Sequence, residues 1–388
     1  MPPLIYIIAG EPSGDLIGGR LMAALKARTK GAVRFAGIGG EAMAAEGLAG
    51  LFPMAELSVM GLVEVLPRLP RILGRIGQTV ADVERLRPDA VVTIDSWGFS
   101  GRVQRALKRR VPAIPRIHYV APMVWAWKPG RTRQLARILD LLLCLLPFEP
   151  EWFVREGLAA IHVGHPVLEG GAGKGDGVRF RARHGIGAAA PLLVALPGSR
   201  HSETARLLPV LASAVELLAA RLPALRVVVP TVATVATEVR AAVAGWTLPA
   251  IVVEGGEKFD AFAAGTAAIA ASGTVALELA LAGLPFVVAY KVSPISAFVA
   301  TRFLGLALNY ACLVNILMDA PVVPEFLQDD CRPDLLAEAA HRLVTEPQAR
   351  AVQVAAAAEA MRRLGQGGDG PGTRAADAVL AAIRGGAG

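Results

Sequence analysis

At 388 residues and 40.5 kDa the chain exceeds one ordinary hydrophobic core, so two domains are expected. Apolar residues make up 54% and charged ones 19%, with a mean hydropathy of +0.48, yet no run approaches the ~18 uninterrupted apolar residues of a bilayer span. A net charge of +7 and a pI of about 9.7 suit phosphorylated metabolites or anionic lipid; aromatics at 5%, with no basic cluster interleaved among them, speak against nucleic acid.

The start, "MPPLIYIIAGEPSGD", lacks the basic n-region of a secretory signal and runs straight into a loop motif. "LIYIIAG" reads as a strand, "GDLIGGRLMAALKA" as a helix, "VRFAGIGG" as a strand, with a further helix from about Glu41. Glu11, Ser13 and Asp15 gather around Gly14 after the first strand. This is not GxGxxG, and no acidic residue stands in that motif's ribose position, so no nicotinamide cofactor is expected. Ser13 and Asp15 equally suit helix capping.

From Met60 to Arg75, Arg68, Arg71 and Arg75 share a helical face while Leu66, Leu69, Ile72 and Leu73 occupy the others. Pro67 and Pro70 are expected to break or start the helix. Such a basic amphipathic stretch suits an anionic membrane surface; it suits an ordinary helix packed on the sheet equally well.

In "VTIDSWGFSG" an apolar run delivers one carboxylate, Asp95, and then breaks. Asp95 is either a base at the mouth of a parallel sheet or a cap on the next helix. "HYVAPMVWAWKPGR" places His118, Trp125 and Trp127 after a further strand, where the indoles pack on a flat or apolar ligand or merely pin the loop. His162 and His165 have no carboxylate or cysteine cluster to complete a zinc set, and no Asp-x-Asp occurs, so no metal is expected. Cys144, Cys312 and Cys331 show no metal spacing and read as free thiols.

Continuous apolar runs alternating with helical periodicity mark a parallel sheet covered on both faces. "EGGAGKGDGV" holds five glycines in ten residues and reads as a linker. The strand–loop–helix rhythm then restarts with "PLLVALPGSRHSE". The expected division is a domain over 1–170, a linker over 171–190, a second domain over 191–365, and a C-terminal helix and tail over 366–388. The fold class is α/β, with two Rossmann-like doubly wound parallel-sheet domains facing a central cleft, and ligands beyond the strand carboxyl ends.

Two loops of the second half suit a phosphate. Ser272, Gly273 and Thr274 sit where a strand gives way to a helix, offering main-chain N–H groups; Glu278, one turn on, can accept from a ribose. A Ser/Thr cap followed by a solvent-facing Glu fits the same residues. In "LPGSRHSE", Gly198 lets the backbone approach a ligand and Arg200 offers a planar fork to phosphate oxygens, while Ser199 suits either the ligand or the helix cap.

Taken in order, "AGEPSGD", "GIGGEAM", "LSVMGLVEVL", "IHYVAPMVWAW", "LPFEPEWF", "GHPV", "LPGSR", "ASGTVALE", "LVNIL" and "VPEFLQ" resemble the lipid-A-disaccharide synthase family, along nearly the whole chain. The resemblance implies a peripheral-membrane glycosyltransferase of the GT-B type at the cytoplasmic face of the inner membrane. Its implied reaction moves 2,3-diacylglucosamine from UDP to the 6-hydroxyl of 2,3-diacylglucosamine 1-phosphate, with inversion. It implies Asp95 as the base, with the Ser272–Thr274 loop, Gly198, Ser199 and Arg200 holding the diphosphate and Glu278 the ribose. Tyr290, Asn315 and Gln328 match positions near the donor pocket, and Glu11, Ser13, Asp15, His118, Trp125 and Trp127 would line the acceptor cleft. No cofactor is implied, and a homodimer is left open.

The chain departs from the family after Asp95, where Ser96-Trp97-Gly98-Phe99 replaces the usual Pro-Asp-Phe, so Gly98 stands in place of a second carboxylate; Val314 likewise replaces the Pro that usually precedes the Asn. Two other readings are an enzyme like UDP-N-acetylglucosamine 2-epimerase and a non-catalytic nucleotide-sugar or lipid-binding protein.

Overall fold

The computed structural model describes residues 2–57, 62–124, 130–292 and 309–385, with the main chain alone for 62–69. Trp125, Trp127 and the side chain of Arg68 therefore lie outside the described residues.

The described residues form two six-stranded sheets with every pairing parallel. The first holds β1 (Leu4–Ala9), β2 (Arg34–Ile38), β3 (Ala90–Ile94), β4 (Arg116–Tyr119), β5 (Leu141–Cys144) and β6 (Ala159–His162), in the order β2-β1-β3-β4-β5-β6. The second holds β7 (Leu192–Leu196), β8 (Arg226–Pro230), β9 (Ala250–Val253), β10 (Ala267–Ala271), β11 (Phe286–Tyr290) and β12 (Glu325–Leu327), in the order β12-β11-β10-β7-β8-β9.

All residues of β1, β3, β7 and β10 are buried, because parallel strands are covered on both faces and so are built mainly of apolar residues. Alternate residues of β1 serve different cores. Ile5, Ile7 and Ala9 pack with Leu21 and Leu25 of the helix Pro12–Thr29 and with Ala375 and Val379 of the C-terminal helix. Tyr6 and Ile8 pack on the opposite face with Val80, Val83, Val103 and Leu107. In the second sheet, Leu193 and Ala195 pack with Leu207, Leu211 and Leu218 of the helix His201–Arg221.

The chain divides into two compact units, one of residues 1–166 with 367–388, the other of residues 167–366. The C-terminal helix Pro371–Gly385 belongs to the first unit, where Arg374 donates to the His162 carbonyl at 2.6 Å and Arg28 pairs with Asp377 at 2.8 Å.

Two expectations need correction. The glycine-rich stretch is not a free linker but part of the second unit. A Cβ at Gly175 would lie 2.0 Å from the Phe259 carbonyl oxygen, and one at Gly177 would lie 2.5 Å from that of Ala263. The glycines therefore let backbone lie on backbone, and Asp176 then caps the helix Gly177–Arg183 through Arg179 N–H at 2.9 Å. Pro67 and Pro70 do not end a helix either, since one helix runs from Leu62 to Leu86 through both.

Candidate active site

Each sheet reverses its strand order once, between β1 and β3 and between β7 and β10, and ligands of doubly wound sheets bind beyond the carboxyl ends of such strands. In the first unit those ends carry Gly10 and Glu11 after β1 and Asp95 and Ser96 after β3, the strands being in register at Ala9 and Ile94.

Asp95 and Ser96 both adopt left-handed backbone, φ 50° and 44°, at a cost of roughly 1–2 kcal/mol per non-glycine residue. Local bonds hold the turn: Asp95 N–H donates to the Tyr119 carbonyl at 2.9 Å, Ser100 Oγ to the Asp95 carbonyl at 2.8 Å, and Ser96 N–H to Asp95 Oδ1 at 2.8 Å. Ser96 Oγ donates to Glu11 Oε1 at 2.9 Å, tying the two loops together. Asp95 does not cap the following helix Trp97–Arg110, whose N-cap is Ser96 with no side-chain bond. Burial chiefly, opposed by the Ser96 N–H and assisted by the Glu11 charge, holds the Asp95 carboxyl above the usual carboxylate range. A half-buried carboxylate on a strained strand-to-helix turn is suited to taking a proton.

Other expected cleft residues have different tasks. The Asp15 carboxylate is consumed by three main-chain N–H groups, of Gly40 at 2.7 Å, Ala42 at 2.9 Å and Met43 at 3.1 Å. It caps the helix Glu41–Ala45 rather than its own, because the two helices pack side by side. Ser13 is exposed on the first turn of its helix. His118 is wholly buried in β4, its Nδ1 2.8 Å from Thr93 Oγ1 and its ring edge-on to Trp97 at 4.8 Å; burial pushes its pKa down to about 3. A neutral internal ring replaces the expected acceptor contact.

Arg75 is likewise engaged within the fold. Its guanidinium forms a two-pronged pair with Glu56 at 2.8 and 2.9 Å and lies 4.5 Å from the Phe52 ring centroid. Arg71 and Leu73 are exposed on that helix.

In the second unit a pocket of about 330 Å³ opens at the corresponding place. Gly198, Ser199 and Arg200 line it from the loop after β7, Thr231 from the end of β8, Lys258 from the helix after β9, and Ser272, Gly273, Thr274 and Glu278 from the segment after β10. Gly198 has φ 110°, and a Cβ there would lie 2.6 Å from Glu203 Oε2, so the loop requires glycine. Glu203 organises this loop, accepting from Ser199 N–H at 2.9 Å and Arg200 Nη1 at 2.7 Å. Ser199 therefore gives its N–H to Glu203, a residue of the following helix's own first turn. Ser272 Oγ donates to the Ala311 carbonyl at 3.2 Å, and Thr274 makes no side-chain cap, so the Ser-Gly-Thr loop is not a capping motif. The helix Val275–Leu281 has only seven residues, and the cationic groups beside it are Arg200, paired with Glu203, and Lys258, paired with Glu278.

Lys258, which the sequence did not single out, is 2.5 Å from Glu278 Oε2. The buried Thr231 hydroxyl has no partner among the described residues. Both signals were present only as residues following a strand end. Asn315 does not line the pocket: its amide clasps the Val323 main chain at 2.8 Å on both N–H and carbonyl sides and donates to Glu325 at 2.6 Å. Gln328 Oε1 accepts from Val292 N–H at 2.9 Å, and half-buried Tyr290 ends β11; neither lines the pocket.

Solved structures share this fold at low identity. A UDP co-structure of MnaA from S. aureus is 12% identical with TM-score 0.64, covering 98% of this chain and 96% of that one. MurG of Acinetobacter baumannii is 17% identical with TM-score 0.56, covering 98% and 99%. The fold is that of the GT-B glycosyltransferases. Residues 5–369 match the family model of lipid-A-disaccharide synthetase. A lipid-A-disaccharide synthase of Paramagnetospirillum magneticum is 66% identical over 381 residues, 98% of each chain, and one of Rhodospirillum centenum is 55% identical over 383 residues, 98% of this chain and 95% of that one. The chain belongs to the lipid-A-disaccharide synthase family and is a hexosyltransferase acting on a nucleotide-sugar donor and a lipid acceptor.

Proposed function

We propose that the second unit binds UDP-2,3-diacylglucosamine and that Asp95 of the first unit is the base that activates the 6-hydroxyl of 2,3-diacylglucosamine 1-phosphate. The acceptor oxygen attacks the anomeric carbon as the bond to UDP breaks on the opposite face. The hydroxyl proton passes to Asp95, and the configuration inverts to a β-1,6 linkage without a covalent enzyme intermediate. Arg200, Lys258 and the main chain around Gly198 and Gly273 offset the charge that develops on departing UDP. Glu278 accepts from the ribose.

The observation that carries this reading is the Asp95 turn. A carboxylate held at the strand switch point on strained backbone, with its pKa raised, is costly to keep without chemical use. Glu11 supports it through Ser96. We further propose that exposed Arg71 and Leu73 belong to the surface that meets the anionic inner-membrane face, where both acylated substrates reside. Among the described residues no helix is long and apolar enough to cross a membrane.

Incubating the purified protein with both acylated substrates and detecting disaccharide 1-phosphate by mass spectrometry tests the reaction. Disaccharide from wild type but not from Asp95→Asn supports the assignment. Equal turnover by the two removes Asp95 as the base, and an epimerised sugar nucleotide in place of disaccharide overturns the transfer itself.

A further inference from the structure

Glu278 is not a lone acceptor. Its Oε2 lies 2.5 Å from Lys258 Nζ, and both side chains line the second-unit pocket while remaining mostly shielded from water, at 19% and 23% exposure. The two arrive from different loops. Lys258 opens the helix Lys258–Ala264 after β9, and Glu278 sits in the first turn after β10. The ammonium also lies 5.3 Å from the Phe259 ring centroid and 5.7 Å from that of Phe262, which restricts where it can go.

We propose that the Lys258–Glu278 pair is a specificity device that reads the two adjacent ribose hydroxyls of the donor nucleotide. This rests on the reading of the pocket as a UDP-sugar site. A carboxylate only accepts hydrogen bonds and an ammonium only donates them, whereas each hydroxyl of a vicinal diol does both. A pair of opposite charges side by side therefore matches a diol on both counts, while a lone carboxylate answers only the donors. Removing one hydroxyl leaves one member of the pair short of a partner in a shielded place, which is where a missing hydrogen bond discriminates most. Lys258 acts here as a positioning residue. It fixes the Glu278 carboxylate through Oε2 before ligand arrives and adds a donor of its own.

Calorimetric titration with UDP and with 2′-deoxy-UDP separates this from a general charge effect. Wild type is expected to bind UDP about tenfold more tightly than 2′-deoxy-UDP. Lys258→Met should weaken UDP by about tenfold and bring the ratio of the two affinities close to one, with Lys258→Arg restoring part of the preference. In Lys258→Met/Glu278→Gln the two losses on UDP should fall short of additive, as expected for groups that act together. If Lys258→Met does not fold, Lys258→Gln is held to the same criterion. An unchanged UDP to 2′-deoxy-UDP ratio in the lysine variant overturns the inference, because Lys258 would then serve charge or packing alone. A wild type that binds both nucleotides equally overturns it too. Failure of wild type to bind UDP at all would instead overturn the donor-site reading on which it rests.

Discussion

Ser96 Oγ donates to Glu11 Oε1 at 2.9 Å, joining the loop after β3 to the loop after β1 across 85 positions of sequence. Gly10 makes the approach feasible, since a Cβ there would lie 3.0 Å from that same hydroxyl oxygen. The bond fixes Glu11 near Asp95, and the Glu11 charge in turn helps hold the Asp95 carboxyl above its ordinary pKa.

Asp95→Asn should abolish transfer while leaving UDP affinity within about twofold of wild type. Asparagine tolerates left-handed backbone and can still accept from Ser96 N–H, so the turn survives. The sign of the stability effect is distinctive. A carboxyl whose folded pKa is raised favours folding below the unfolded value of about 3.9, and loses that contribution as pH rises through the folded value. At pH 7 the ionised group is a cost, so the variant should melt no lower than wild type, and a clearly lower Tm at pH 7 would contradict this account.

For the same reason the acid limb of the rate–pH profile should lie above the pH expected of a free aspartate. Glu11→Gln removes a charge that raises the Asp95 pKa, so its acid limb should move to lower pH. A limb that stays in place would show that burial alone sets the shift.

Gly98 lies in the first turn of the helix Trp97–Arg110. It is exposed, and a Cβ there would meet nothing nearer than Arg102 Nη1 at 4.0 Å. Gly98→Asp should therefore fold, and an acid in the first turn of the helix Trp97–Arg110 should add about 0.3–1 kcal/mol at low salt. Thermal melts at two ionic strengths check this, since a gain that does not shrink with salt cannot be electrostatic.

On the donor side, Arg200→Ala and Glu278→Ala should each weaken UDP binding by about 1–3 kcal/mol. Gly198→Ala should do so as well, although it removes no contact, because its backbone requires φ 110° and Glu203 fills the space a methyl would need. Calorimetry with UDP is the measure, and wild-type affinity in all three would dismantle the pocket assignment.

Acid should destabilise the first unit through its imidazoles. Burial lowers His118 to about 3, and His162 and His165 to about 4, with the Arg374 charge adding to the effect at His162. The folded protein keeps these rings neutral while the unfolded chain takes up protons near pH 6.5. The stability they confer is present above that pH and is lost as pH falls towards 4 and then 3, at up to about 1.4 kcal/mol per pH unit for each ring. Urea midpoints at pH 7.5, 6 and 5 should drop along this course, and His165→Gln should flatten the fall.

The sequence by itself determined the fold and most of the loops that matter. Runs such as "LIYIIA" and "AAIAA", short, apolar throughout and closed by breakers, suit parallel strands buried on both faces, and the breakers after them mark the strand ends. Asp95 was legible because it follows such a run directly, and Gly198, Arg200 and Glu278 because they lie in the loop or first helical turn that comes next. Tertiary structure alone decided which polar side chains stay free for a ligand. Asp15 is taken by the main chain of residues 40–43, Asn315 by Val323, and Arg75 by Glu56, while Lys258 is brought to Glu278 from another loop. Sequence spacing fixes which face or strand end a residue occupies. Whether its hydrogen-bonding capacity is already spent depends on groups 8 to 28 residues away, and only the packed chain brings those within 3 Å or so.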